Sequence, residues 1–208
     1  MPLQNRVDPF GNLFRTAARG TMMGNRGGVI HSERREIVGV YKSRRWIACV
    51  LEFRGRHRAV MSPRRYTELF FLDEATALSA GHRPCAECRR ERYNAFRAAW
   101  QRARSLSSPP FANEMDWELH PARIGPSRQK VTHFAKLSSL PDGTLVSLED
   151  VPHLFWRGKL RRWTPEGYAA PCHSMASRPN GLVTVLTPKP IVECLESGYV
   201  PAVHESAG

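Results

Sequence analysis

Phe70-Phe71-Leu72-Asp73-Glu74-Ala75-Thr76-Ala77-Leu78-Ser79-Ala80-Gly81-His82-Arg83-Pro84-Cys85-Ala86-Glu87-Cys88-Arg89-Arg90 carries several local signals in one run. Asp73 is an N-cap residue, Glu74 suits a first helical turn, and Gly81 supplies a left-handed stop, so a short helix is expected between them. Pro84 then opens a Cys-x-x-Cys knuckle. Two thiolates so spaced across a tight turn can both reach one Zn²⁺ at about 2.3 Å and fill half of a tetrahedral shell, leaving two ligands to come from elsewhere. The chain continues as a second helix in which Tyr93, Phe96 and Trp100 recur at i, i+3 and i+7, the spacing of a buried stripe. Around that stripe stand Arg89, Arg90, Arg92, Arg97, Arg102 and Arg104, with Glu91 as the opposing acid. These arginines are expected to face water or a partner.

Upstream, β-branched and aromatic residues dominate Ile37 to Tyr41 and Trp46 to Phe53, and Gly55 precedes the shorter run His57 to Met61. That pattern predicts a hairpin. Lys42, Arg44, Arg45, Arg54, Arg56, Arg58, Arg64 and Arg65 against Glu52 would make it a cationic ribbon. Residues 1–36 hold turn signals (Asp8-Pro9-Phe10-Gly11-Asn12, Arg19-Gly20, Gly24-Asn25-Arg26-Gly27-Gly28) and little periodicity, which reads as an extended arm. The last of these is either a plain turn or a nest of backbone N–H groups for a phosphate with Arg26 alongside; no Lys-Ser/Thr follows as in a P-loop.

Downstream, Ser105-Leu106-Ser107-Ser108-Pro109-Pro110 reads as a linker, with a short helical piece from Asn113 to Arg123 limited by Pro121. Thr144 to Leu148, His153 to Trp156, Leu160 to Trp163 and Leu182 to Leu186 are strand candidates, and Ile191 to Ser197 a short closing helix. The expected class is α+β, divided into an arm (1–36), a central module (37–105), a linker (106–126) and a β-rich C-terminal unit (127–208).

The chain has 208 residues, 41% of them hydrophobic, enough for one substantial core or two small ones. Thirty-one Lys and Arg against 19 Asp and Glu give a net charge of +12, which favours polyanionic partners, nucleic acid first. Met1 to Arg6 has no signal-peptide core, and no run approaches the roughly 18 apolar residues of a membrane span. A cytoplasmic protein without a membrane partner is expected. Cys49, Cys85, Cys88, Cys172 and Cys194 are odd in number and scattered, which suits reduced thiols and a metal better than a disulfide framework.

From about residue 46 to 90 the chain resembles the zinc-binding module of the Ada family of DNA alkylation-repair proteins. The resemblance is carried by Ala77-Leu78-Ser79-Ala80-Gly81-His82-Arg83-Pro84-Cys85-Ala86-Glu87-Cys88-Arg89, with Trp46 to Val60 where that module has its hairpin. It implies a β-hairpin, a short helix, the Cys-x-x-Cys knuckle and a basic helix around a zinc ion, on a protein that binds DNA. In the Ada module a second cysteine pair on the hairpin completes the site, and one of those cysteines accepts a methyl group. Here Glu52-Phe53-Arg54-Gly55-Arg56-His57-Arg58 occupies that region, so the methyl acceptor is missing. The full sequence also looks like a member of a bacterial family, a likeness that assigns nothing to the other three quarters of the chain.

Cys85 and Cys88 are thus the expected zinc ligands, and His31, Cys49, His57 and His82 the candidates for the remaining positions. A histidine is more often a satisfied core or surface residue than a ligand, and Cys49 reads equally well as a small buried hydrophobe. A redox dithiol at a helix start is an alternative for the Cys-x-x-Cys, although the βαβ pattern that should accompany it is absent.

Two enzyme classes stand beside the binding reading. His31-Ser32-Glu33 with Pro84-Cys85-Ala86-Glu87-Cys88 spells a zinc-deaminase signature, in which His31, Cys85 and Cys88 hold the metal and Glu33 moves protons. A metal-dependent nuclease is the other, with Glu68, Asp73 and Glu74 available but no recognisable carboxylate spacing. In the binding reading zinc is structural, and Arg44, Arg45, Arg54, Arg56, Arg58, Arg89, Arg90 and Arg97 contact phosphates, with DNA ahead of RNA. Phe155-Trp156-Arg157-Gly158-Lys159-Leu160-Arg161-Arg162-Trp163 interleaves aromatic and basic residues, so Trp156, Arg161 and Arg162 either join a base-stacking face or divide into core and solvated charge.

Overall fold

The computed structural model describes residues 1–55, 59–171 and 181–208. Among them the chain is mixed α and β, with two six-stranded sheets joined by helices. The first sheet takes β1 (Arg6–Val7), β2 (Leu13–Phe14), β3 (Met22–Arg26), β4 (Trp46–Cys49), β5 (Leu69–Phe71) and β6 (Arg83–Pro84), in the order β2-β1-β5-β3-β4-β6.

That sheet corrects two expectations. Residues 1–36 are not an arm laid over the protein, because they supply β1, β2 and β3, the last lying between β5 and β4. Nor does Trp46 to Met61 close a hairpin among the described residues: β4 pairs antiparallel with β3 and parallel with β6. The physical reason sits at Gly24. A Cβ there would lie 2.3 Å from the Ile47 carbonyl oxygen and 2.9 Å from the Phe71 ring, so only glycine lets β3 come this close to its neighbours. The glycine-rich turn is therefore the end of a central strand, with Gly27 and Gly28 turning the chain away at φ +81° and +156°. Ile37 to Tyr41 forms no strand, and its one pairing is an isolated bridge from Ile37 to His31.

Helix α1 (Glu74–Ser79) is buried along its whole length. Asp73 caps it as expected, Oδ1 accepting from the Thr76 N–H at 2.8 Å, and Gly81 takes φ +83° just beyond its end. Helix α2 (Arg90–Ala103) presents Tyr93, Phe96, Ala99 and Trp100 inward. Helix α3 (Ala112–Arg123) lies within the stretch read as a linker and tolerates Pro121 in its last turn.

The second sheet is built from β7 (His133–Lys136), β8 (Leu145–Leu148), β9 (Val151–Trp156), β10 (Lys159–Thr164), β11 (Gly167–Pro171) and β12 (Leu182–Val185), ordered β11-β10-β9-β8-β12-β7, and is followed by α4 (Lys189–Glu196). Only β7 and β11 lie outside the strand candidates named from sequence.

The cores cross the boundaries read from the sequence. Leu78, Phe96, Trp100, Met115, Leu119, Ile191 and Tyr199 pack as one cluster joining all four helices, and Leu72 and Ala75 pack with Leu145, Leu154, Trp156 and Trp163 of the second sheet. Buried carboxylates pin the same junction. Asp73 Oδ2 accepts from the Tyr168 hydroxyl and the His204 N–H, while Glu74 accepts from Arg89, Arg92, the Tyr199 hydroxyl and the Ala202 N–H. No helix among the described residues is long and apolar enough to cross a membrane.

Candidate metal centre and the cleft beside it

Cys49, Cys85 and Cys88 come together, their sulfurs within 4.8 Å of one another. Strand pairing explains how residues 36 positions apart in the chain meet. β4 and β6 run parallel in the register Ile47 with Arg83 and Ala48 with Pro84, and the Cys85 N–H continues it by donating to the Ala48 carbonyl at 2.9 Å. The next pair in that register is Cys49 with Cys85. The knuckle then folds back: the Glu87 N–H points at Cys85 Sγ at 3.4 Å, and the Arg89 N–H donates to the Cys85 carbonyl at 3.2 Å, which brings Cys88 round toward the other two sulfurs.

Two sulfurs 2.3 Å from one tetrahedral ion stand roughly 3.8 Å apart, so small side-chain rotations would close this set on a metal. The thiols already share protons unequally. Hydrogen bonds from Cys49 and then Cys88 draw Cys85 toward the thiolate, while Cys49 is held protonated by the same contacts and by burial. For Cys88, Cys49 works toward the thiolate, but Cys85 and burial outweigh it and the thiol is raised. A soft all-sulfur donor set of this kind suits a thiophilic ion such as zinc and not magnesium or calcium.

The other ligand candidates are elsewhere. His31 Nδ1 meets the Thr67 hydroxyl at 2.6 Å and Nε2 the Ser62 carbonyl at 3.3 Å, so both ring nitrogens are occupied by the loop that His31 braces. His82 is fully buried against Trp46 and Phe71, 5.1 and 4.7 Å between ring centres, and accepts from Arg26 Nε at 3.4 Å. Neither joins the sulfurs, and His31 is therefore not assembled with Cys85 and Cys88 as the deaminase pattern requires. Glu33 is exposed in the turn that follows His31. His57, Arg56 and Arg58 lie outside the described residues, as do Cys172 and His173. Among the described residues no fourth His, Cys, Asp or Glu completes the shell.

Cys85 also lines a cleft of about 1020 Å³. One wall is Lys42, Arg44 and Arg45, all exposed; the other is formed by Phe111, just before α3, and Trp117 within it, 72% and 61% exposed. The Arg44 guanidinium stacks 3.7 Å over the Trp117 ring. Across the floor, Arg83 and Asp116 form a bidentate pair at 2.9 and 2.8 Å, with side chains only 3% and 8% exposed. His120 is held below its ordinary pKa by burial and by Arg123 and Arg44.

Of the arginines named from sequence, Arg44 and Arg45 line this cleft and Arg54 and Arg90 are exposed. Arg89 is instead bonded to Glu74 at 2.9 Å with its side chain 8% exposed, and Arg97 donates to the Pro110 and Pro109 carbonyls. Both hold the fold together. Trp156 is core, its Nε1 donating to the Gly208 carbonyl, and Arg161 is half-buried beside the same glycine, which leaves Arg162 as the exposed one of these three. Sequence reasoning missed Phe111, Asp116 and Trp117. The signal for the tryptophan was available: Met115 and Leu119 mark the inward face of α3, and Trp117 falls off it.

Comparison of the chain with protein-family models, with curated proteins and with solved structures yields no match.

Proposed function

We propose that this is a zinc-binding, nucleic-acid-binding protein in which Cys49, Cys85 and Cys88 hold the ion and the adjoining cleft takes a nucleic-acid strand. The observation that carries the reading is the convergence of three thiols, one of which, Cys85, lines a cleft walled by Lys42, Arg44 and Arg45 on one side and exposed Phe111 and Trp117 on the other. An ion there would lock the knuckle to the end of β4, the strand whose start the wall of Lys42, Arg44 and Arg45 leads into. The cations would neutralise phosphates, and the two rings would stack unpaired bases, a combination suited to single strands. The kinship to the Ada zinc module belongs to this proposal, with Cys49 as the ligand contributed from outside the knuckle, and it places DNA ahead of RNA.

The donor set favours a second reading. Three protein ligands leave a position for water or substrate, the mark of a catalytic zinc, whereas a closed four-ligand shell marks a structural one. A zinc-dependent enzyme acting on nucleic acid is therefore kept, without His31 in the role that the deaminase signature gives it.

Zinc content per chain and fluorescence anisotropy with a labelled single-stranded oligonucleotide across a salt series test the proposal. One zinc per chain is expected, with a log–log salt slope of about −2 from the three cleft cations. Absence of bound zinc, or binding indifferent to salt, refutes it. His57→Ala and a Cys172→Ser/His173→Ala double variant separate the two readings, since loss of zinc in either identifies a closed structural shell and retention in both an open one.

A further inference from the structure

A second cavity of about 490 Å³, with Trp46 in its lining, gathers charge that the fold does not balance. Arg26 ends β3, Arg123 ends α3, and Lys130 follows it across the bridge from Ile124 to Lys130. Arg26 and Arg123 are 1% and 2% exposed; Lys130 has a partly exposed stem with its ammonium enclosed. Both guanidinium carbons lie 4.3 Å from the Trp46 ring centre.

Among the described residues none of these three cations forms an ion pair. Arg26 donates to the Gly11 carbonyl at 2.8 Å, to the Val40 carbonyl at 3.4 Å and to His82 at 3.4 Å. Arg123 donates to the Gly81 carbonyl at 2.7 Å, to the Arg44 carbonyl and to His120, and its buried Nε has no partner. The Lys130 ammonium donates to the Ser79 carbonyl. Neutral carbonyls satisfy part of the hydrogen-bonding capacity and none of the charge.

The field of Asp8 reaches Arg26 and Lys130, but its carboxylate is held by Asn12 through its N–H at 2.9 Å and its amide at 3.0 Å. Asp116, which Arg123 also feels, is already paired with Arg83. Two guanidinium cations and Lys130, only part-protonated near neutral pH, face one acid, which leaves the cavity short of between one and two negative charges. Burying charge without a counter-ion is expensive, and burial lowers all three groups, Lys130 to about 7 and each guanidinium to about 9. The rest of the lining includes Trp46, Phe10 and Ile37, the amides of Gln4, Asn12 and Gln129, and at the solvent edge the exposed Arg128, an apolar wall with a few polar fixtures of the kind that binds small molecules.

We propose that this cavity is a binding site for a phosphate monoester, held as a dianion between Arg26, Arg123 and Lys130. The charge missing from the site is the charge such a group carries near neutral pH, about −1.5 to −2, and forked guanidinium donors match its oxygens. The group can belong to a free small molecule or to the 5′ end of an oligonucleotide. The site stands independently of the metal centre.

Titration calorimetry of the full chain, at ionic strength fixed with chloride, tests this with inorganic phosphate, a 5′-mononucleotide, and one oligonucleotide carrying either a 5′-phosphate or a 5′-hydroxyl. Saturable one-to-one binding of phosphate is expected, weakened at least tenfold in Lys130→Gln and unchanged in Arg34→Gln, an exposed arginine outside the cavity. A mononucleotide that binds tighter than phosphate supports the site with a free small molecule as its source. A preference for the 5′-phosphorylated oligonucleotide, with the mononucleotide no better than phosphate, supports it with a strand end. Thermal unfolding of the wild type supplies a readout that needs no variant: phosphate should raise the midpoint where equal chloride does not. Failure of phosphate to bind saturably, or equal binding by Lys130→Gln and wild type, overturns the proposal.

Discussion

Replacing Asp116 by Ala removes the partner of a charge that has nowhere else to go. Arg83 meets Asp116 through two hydrogen bonds of 2.9 and 2.8 Å at a site almost closed to water, and after the substitution it would keep the Pro84 carbonyl at 3.2 Å and the Tyr93 ring at 5.6 Å. Two charge-assisted bonds at about 1.5–3 kcal/mol each, or equally the orphaning of one member of a buried ion pair, predict a loss of about 3–5 kcal/mol. At roughly 2–4 °C per kcal/mol for a chain of this size, the midpoint of thermal unfolding falls by about 6–20 °C. The effect also reaches the metal centre, because Arg83 stands two residues before Cys85 and anchors the strand that aligns Cys85 with Cys49. Urea unfolding of the zinc-loaded protein measures the first effect, and competition with a chromogenic chelator the second. Asp116→Leu combined with Arg83→Met should recover most of the stability, since neither member of this pair is then left buried without the other. A single Asp116→Ala that costs less than about 1 kcal/mol, or a double variant less stable than the single, refutes the reasoning.

Cys49→Ser removes one of three thiolates and should weaken zinc binding by at least tenfold; cobalt substitution reads it directly, because the thiolate-to-metal charge-transfer absorption loses about a third of its intensity. An unchanged spectrum would place Cys49 in the core and not in the site. Trp117→Ala is expected to weaken binding of a single-stranded oligonucleotide by about 1–3 kcal/mol with the salt slope intact, whereas Arg45→Ala should lower the slope by roughly 0.7. Equal effects of the two on the slope would separate the aromatic wall from base stacking. Burial works to raise the Glu74 carboxyl, but Arg89, the Ala202 N–H and Tyr199 hold it below its ordinary value of 4.5. Its contribution to stability is therefore present above that value and is lost as the pH falls through the lower folded one. In Glu74→Gln the acid limb of the stability curve should flatten, and an unaltered limb between pH 5 and 3 measured by urea unfolding would contradict it.

How much of this was legible depended on whether the signal was local. Asp73, Gly81, the Tyr93-Phe96-Trp100 stripe and the Cys-x-x-Cys knuckle are local, and each took its expected conformation or burial. Pairing was not local. Met22 to Arg26 looks like a turn because Gly24 and Asn25 break its pattern, yet that glycine is what lets the segment enter the middle of a sheet. Cys49 was one candidate ligand among four, and what singles it out is the parallel register of two strands 36 residues apart. The arginines divided for the same reason. Arg89 and Arg97 resemble Arg90 in sequence, but Glu74 and the Pro109-Pro110 carbonyls reach the first two from other parts of the chain.

The Asp73-Glu74 carboxylates have a consequence for the order in which the protein is made. Their oxygens wait for Tyr168, Tyr199, Ala202 and His204, of which the last three follow Asp73 and Glu74 by 125 to 131 positions. While the ribosome is still adding those residues, α1 and the helices against it carry buried acids with half of their donors not yet synthesised. The thiol-bearing half of the molecule thus completes its packing only once residue 204 has cleared the exit tunnel, and until then a nascent chain offers the metal a loosely held knuckle.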